Sequence, residues 1–263
     1  MRLEEVKALV IRTTDLSESD RLIRLYSDRF GVISAYANNS RSLKSRYMAA
    51  AQLFCYGNYV LYQKGDKYWV REVELENNFF GLRRSISKTA LGSYFCDVLS
   101  EAGTTDPDVS LLRLILNSLY ALEHDLAPER KIKLCFEMRC AASLGFMPDL
   151  SGCSECGRDD GELYLDVLGG VCACRDCREY AASVRMQGNV ITEGEEERRP
   201  VLILSPAVRE ALRYVMECPL ERIYSFRVPE SEEEPLSVAA EQYLLHHLGR
   251  GFDTLKFYKE VSV

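Results

Sequence analysis

Short apolar runs broken by glycine and polar residues fill the first 80 positions, and their pattern predicts strands over residues 6–12, 22–26, 32–37, 53–62 and 68–73. Asp28-Arg29-Phe30-Gly31 and Gly65-Asp66 punctuate them as turns, and Gly57 marks a bulge or bend inside the fourth run. Five strands in about 75 residues fit a small closed barrel of the OB type, in which closure buries one face of the sheet and leaves the other for a ligand. An SH3-like barrel fits the strand count almost as well.

From Asn77 onward the apolar period lengthens. Leu82, Ile86, Leu91, Tyr94, Phe95, Val98 and Leu99 recur at helical spacing, with Gly103 placed to stop the helix. A second helix opens at Asp108-Val109-Ser110, and a third is entered through Pro128 and ends at Gly145. These three predict a helical unit. The charged run from Glu193 to Arg199 reads as a solvated loop. Helices then resume at Ser205-Pro206, a cap followed by a first-turn proline, and behind the acidic start Glu232-Glu233-Glu234-Pro235. The helical domain is therefore expected to be discontinuous, with a cysteine-rich module inserted.

Charge changes the picture in one respect. The chain carries a net charge of -7, which is unfavourable for a polyanion binder, because neutralisation of phosphates by Lys and Arg supplies much of the affinity for nucleic acid. The charge is unevenly spread: residues 1–80 hold twelve Lys and Arg against ten Asp and Glu, so that segment is +2 and the rest is -9. A polyanion site is expected in the N-terminal part. No basic start with an apolar run behind it and no stretch of about 18 apolar residues is present, so the reading is a cytoplasmic protein with no membrane partner.

Five of the ten cysteines fall between residues 153 and 177, and that clustering points to a local metal site rather than to disulfides. Cys153-Ser154-Glu155-Cys156 and Cys174-Arg175-Asp176-Cys177 are two CxxC knuckles whose spacing suits a four-thiolate zinc site. Cys172 is a rival third ligand, disfavoured because only Cys174 completes a CxxC pair. Four thiolates leave no open position for water, so one structural Zn2+ is expected. A thiol-redox use of the CxxC pairs is the competing reading. The other five, Cys55, Cys96, Cys135, Cys140 and Cys218, sit among apolar residues and read as buried small hydrophobes.

Enzymatic signatures are lacking. None of His124, His246 and His247 supplies the His-x-Glu of a zinc deaminase, and no phosphate-binding GxxxxGK[ST], dinucleotide-binding GxGxxG or serine-nucleophile GxSxG is found. The chain reads as a binder with no catalytic residues. In the barrel segment, Ser40-Arg41-Ser42-Leu43-Lys44-Ser45-Arg46-Tyr47 sets three cations among hydroxyls, which suits a loop tracking a phosphate backbone. Tyr36, Tyr47, Tyr56, Tyr59, Tyr62 and Trp69 offer stacking faces for unpaired bases, and Arg83, Arg84 and Lys88 extend the positive region onto the first helix. On composition alone, a solvated loop beside buried aromatics fits equally well.

The order of these motifs resembles the RecO family. Residues 10–22, Phe30-Gly31-Val32-Ile33-Ser34-Ala35, Ser45-Arg46, the segment 144–150 leading into Cys153-Ser154-Glu155-Cys156-Gly157, the pair Gly169-Gly170 and Thr254-Leu255-Lys256-Phe257-Tyr258 carry the likeness along nearly the whole chain. The basic loop departs from it, with Asn38-Asn39 where relatives carry a glycine and more basic residues. The resemblance implies an α+β multidomain protein: an OB-fold DNA-binding domain over 1–79, a helical bundle over 80–148 and 190–263, and an inserted zinc module over 149–189. It implies a recombination mediator of DNA repair that binds single- and double-stranded DNA, anneals complementary single strands and assists recombinase loading. Its partners are then RecR, single-strand-binding protein and, indirectly, the RecA recombinase, in a nucleoid-associated setting. An apolar groove with a cation is expected for the acidic, hydrophobic tail of single-strand-binding protein; Lys131 and Lys133 are weak candidates for that cation, a solvated helix face being the favoured reading of both. A zinc-ribbon nucleic-acid adaptor and a thiol-redox enzyme are the alternatives.

Overall fold

A computed structural model describes residues 2–42, 44, 45, 47–103, 108–187 and 200–262, with side chains for all of these except 182–187. The charged run 193–199 and Arg46 lie outside the described residues. The chain divides into two compact units, Met1–Glu129 with Gly251–Val263, and Arg130–Arg250.

The first unit opens with five strands, β1 (Arg2–Asp15), β2 (Arg21–Ser27), β3 (Gly31–Ala37), β4 (Tyr56–Lys64) and β5 (Lys67–Asn77), paired in the closed order β1-β2-β3-β5-β4. A short parallel seam between β3 and β5, at Ala35 with Tyr68 and Tyr36 with Trp69, joins two antiparallel stretches into a ring. This order and count are OB-like. Alternate residues point inward, as strand geometry requires: Val6, Ala8 and Val10 from β1, Ile23 and Leu25 from β2, Ala35 and Ala37 from β3, and Tyr59 and Leu61 from β4 form the barrel core. Gly57 is the predicted bulge. The β4–β5 register shifts there, and a Cβ at Gly57 would lie 2.3 Å from the carbonyl oxygen of Glu74. β4 begins three residues later than the apolar run suggests, because Phe54 adopts a left-handed backbone with φ 69° and residues 47–54 turn instead of extending.

The predicted first helix is broken in two. A short 3-10 segment, Phe80–Arg84, precedes α1 (Ile86–Ala102), whose N-terminus is capped by Ser85 accepting from the backbone N–H of Lys88, and Gly103 ends it. In α2 (Val109–Glu123) Asp108 caps the first turn, its carboxylate accepting from the N–H of Ser110 at 2.7 Å.

In the second unit, α3 (Glu129–Ser143) leads into a four-stranded sheet, β6 (Asp149–Cys153), β7 (Leu163–Asp166), β8 (Val171–Cys174) and β9 (Val201–Leu204), in the order β6-β8-β7-β9. α4 (Arg175–Gln187) follows β8 directly. α5 (Pro206–Glu217) has the predicted Ser205 cap and Pro206 start, and α6 (Glu230–Leu248) starts five residues before Pro235, which sits inside the helix. The chain returns to the first unit as α7 (Asp253–Val261), packed on α1: Phe252 meets the Tyr94 ring edge-on at 5.7 Å, and the Thr254 hydroxyl donates to Asp97 at 2.9 Å.

Candidate metal centre and nucleic-acid interface

The two knuckles meet at the edge of the second unit's sheet. Cys153 closes β6 and Cys156 lies in the turn beyond it, where the Gly157 N–H donates to the Cys153 carbonyl at 2.8 Å and Gly157 takes a φ of 75° open to glycine. Cys174 closes β8, and Cys177 lies in the first turn of α4. All four sulfurs lie within 4.8 Å of one another, and Cys156 and Cys174 are 3.8 Å apart. A tetrahedral zinc with Zn–S bonds of about 2.3 Å places its sulfurs about 3.8 Å apart, so the thiols fit a metal of that size and geometry. Among the described residues this is the only His/Cys/Asp/Glu group so arranged. The set is all thiol, a donor chemistry that suits zinc.

Within the tetrad the shifts run in opposite directions, so geometry and not electrostatics selects the four. Burial works against ionising Cys153, but the N–H groups of Cys174, Cys156 and Glu155 and the Cys156 thiol bring its pKa down to about 6. Cys177 is pushed up to about 12 by its hydrogen bonds with the Cys174 and Cys156 sulfurs. Arg158 beside the first knuckle pairs with Asp176 of the second at 2.8 Å, tying the two together. Cys172 lies outside the tetrad. It is buried, and desolvation followed by the charge of Asp149 raises its thiol to about 11, so it stays protonated at neutral pH.

The remaining cysteines, Cys55, Cys96, Cys135, Cys140 and Cys218, are all buried, as their apolar neighbours predict. His124 stacks on Tyr120 at 4.1 Å, and His247 packs between Phe146 and Tyr243.

The expected cationic face is more divided. Arg41 is held by the β1–β2 loop: its guanidinium donates to the Ser17 carbonyl and lies 3.5 Å from Asp15, while its backbone N–H donates to the Ser19 carbonyl at 3.0 Å. The hydrogen bond from Arg21, and secondarily the charge of Arg41, holds the Asp15 carboxyl below its usual range. Lys44 is exposed in the loop. Arg83 is exposed but donates to the Leu53 carbonyl at 3.0 Å and lies over the Phe80 ring, and Arg84 is exposed beside it. Lys88 is 16% exposed and paired with Asp125 at 2.6 Å, so its charge is already matched.

Of the six aromatics, Tyr59 is in the barrel core, and Tyr47 packs against that core with its hydroxyl donating to the Arg71 carbonyl. Tyr36, Trp69 and Tyr62 are half-buried and in mutual contact, with ring centroids 5.5 Å apart for Tyr36 and Trp69 and 5.7 Å for Tyr62 and Trp69. Lys67 adds its ammonium 5.8 Å over the Tyr36 ring, and Lys64 is exposed across the same hairpin. Neither lysine stood out in the sequence, although both flank the Gly65-Asp66 turn.

In the second unit, Lys133 is not on a solvated face. It is buried and bridges Glu137 at 2.9 Å and Glu241 at 2.8 Å. Lys131 lies in a small groove with Arg130, Leu134, Phe226, Glu233 and Leu236, its ammonium 4.3 Å over the Phe226 ring and donating to the Phe226 carbonyl at 2.5 Å. Among the described residues no helix is long and apolar enough to cross a membrane.

Two family matches cover this architecture. Residues 1–79 match the family described as Recombination protein O N terminal, and residues 83–256 match Recombination protein O C terminal. The chain is 27% identical over 264 residues to the DNA repair protein RecO of Acetivibrio thermocellus, covering 100% of this chain and 98% of the relative. It is 26% identical over 264 residues to that of Caldanaerobacter subterraneus subsp. tengcongensis, with both chains covered in full. With the Listeria monocytogenes protein of the same name it shares 25% over 261 residues, 99% of this chain and 95% of the relative.

Proposed function

The chain belongs to the RecO family, and on that premise we propose that it is a non-enzymatic DNA-binding mediator of DNA repair and recombination. Its action is to anneal complementary single strands and to assist recombinase loading with RecR on DNA coated by single-strand-binding protein. The observation that carries this reading is an OB-like barrel, within the net-positive segment, bordered by a cation-bearing loop. Annealing requires no bond chemistry. Two like-charged strands must be brought together, and lysine and arginine side chains lower that repulsion while the bases stay free to pair.

The proposed DNA-contacting residues are Arg41, Lys44 and Arg46 of the loop together with Arg83 and Arg84. Lys88 contributes less, since its charge is spent on Asp125. The groove at Lys131 and Phe226 suits an acidic, hydrophobic peptide such as the tail of single-strand-binding protein, because it joins the cations of Arg130 and Lys131 to apolar walls, with Glu233 the one opposing charge in its lining. One zinc at Cys153, Cys156, Cys174 and Cys177 would hold the inserted module together, giving it a structural role apart from DNA contact. The setting is the cytoplasm, at the nucleoid.

The test is annealing of complementary oligonucleotides by the full chain in the absence of nucleotide. Pairing well above the spontaneous rate is expected. Tight DNA binding with no acceleration would instead make the protein a nucleic-acid adaptor.

A further inference from the structure

The registers of the barrel place one residue from each strand in a single outward row: Leu22, Tyr36, Trp69, Tyr62 and Leu3, in the order β2, β3, β5, β4, β1. Its centre is a ring column. Lys67 sits over Tyr36, Tyr36 stacks on Trp69 with 23° between the planes, and Trp69 leans on Tyr62 at 42°. The rings are half-buried, and Leu3 at the end of the row is 51% exposed. The exposed cations Lys64 and Lys67 border the column on the β4–β5 hairpin.

Resting on the DNA-binding reading above, we propose that the Tyr36–Trp69–Tyr62 column is a base-stacking platform that makes the barrel selective for unpaired strands. A flat base extends a prestacked column at the Tyr62 end, or displaces the Lys67 ammonium at the Tyr36 end, and the rings need little further ordering. The phosphates that flank such a base then meet Lys64 and Lys67, so the aromatic and cationic parts match the alternating chemistry of a single strand. Duplex DNA hides its base faces in its own stack and offers only the phosphates. A column that merely braces the sheet through cross-strand contacts would stabilise the barrel and discriminate nothing.

Trp69 is the sole tryptophan of the chain, so its fluorescence reports this row alone. The full-length protein is titrated with oligothymidylate, with a base-free sugar-phosphate chain of the same length, and with a blunt duplex. Oligothymidylate is expected to quench Trp69 and to bind about fivefold or more tighter than the base-free chain, since stacking contributes at least about 1 kcal/mol per base. Trp69→Leu should abolish that preference, and Trp69→Phe, which keeps a ring, should retain most of it. Equal affinity for oligothymidylate and the base-free chain, with Trp69 unquenched, would overturn the platform while leaving phosphate binding standing. Failure to bind any of the three would overturn the platform and the DNA-binding reading together. The comparison on the unaltered protein needs no variant to fold.

Discussion

Cys172 and Cys174 lie two positions apart on one short strand and differ in what surrounds their sulfurs. Cys174 meets Cys153, Cys156 and Cys177, whereas Cys172 is buried outside the cluster with its thiol raised to about 11. Cys174→Ser should therefore release the metal and loosen the module, and Cys172→Ser should retain one zinc per chain by metal analysis under reducing conditions. The reverse pattern would put the wrong sulfur in the site. The tetrad was legible in the sequence because CxxC spacing is a local property of two tight turns. The loop cations were legible only as residue types: Arg41 is turned toward Asp15 and Ser17, and Lys88 toward Asp125, by contacts that no local pattern encodes.

Among the elements, α3 and α6 are joined by a buried charge that helical periodicity reads as surface. Lys133 lies between Glu137 and Glu241. Burial alone would lower its pKa, but the two carboxylates, Glu137 foremost, more than offset that and raise it above the usual 10.5. Because the folded value is the higher one, this contribution to stability is complete below pH 10.5 and is lost as the pH climbs through the folded value. Lys133→Met leaves buried carboxylates without their cation and should destabilise the protein by about 3–5 kcal/mol in urea unfolding at neutral pH. A loss under about 1 kcal/mol would show that the bridge contributes no more than an exposed pair. Strand alternation in β1, β2 and β3 and the caps at Asp108 and Ser205 were readable from sequence, since each depends on neighbours within a few residues. β9 and α7 were not. β9 is a four-residue strand that exists by pairing with β7, and α7 is fixed by α1, more than 150 positions earlier in the chain.

For the molecule as a whole, a chain of net charge -7 is proposed to bind a polyanion. Repulsion from the acidic remainder is damped beyond about 10 Å at 0.1 M salt, so a local patch on the barrel decides the outcome. The barrel's strand count was legible in the sequence. The two-residue parallel seam between β3 and β5 that closes it was not, nor was the division that returns residues 251–263 to the first unit.

The central claim is that DNA is held by phosphate contacts from the barrel loop, and its most direct test is the salt dependence of single-strand affinity. Log affinity should fall steeply with log salt for the unaltered chain. Arg41→Ala, Lys44→Ala and Arg46→Ala combined should weaken binding across sequences and flatten the slope by roughly two to three, about one per lost contact. Zinc content and thermal unfolding should stay unchanged. A triple variant that keeps both its affinity and its slope would contradict the account and place the DNA face elsewhere, with Arg83 and Arg84 next in line.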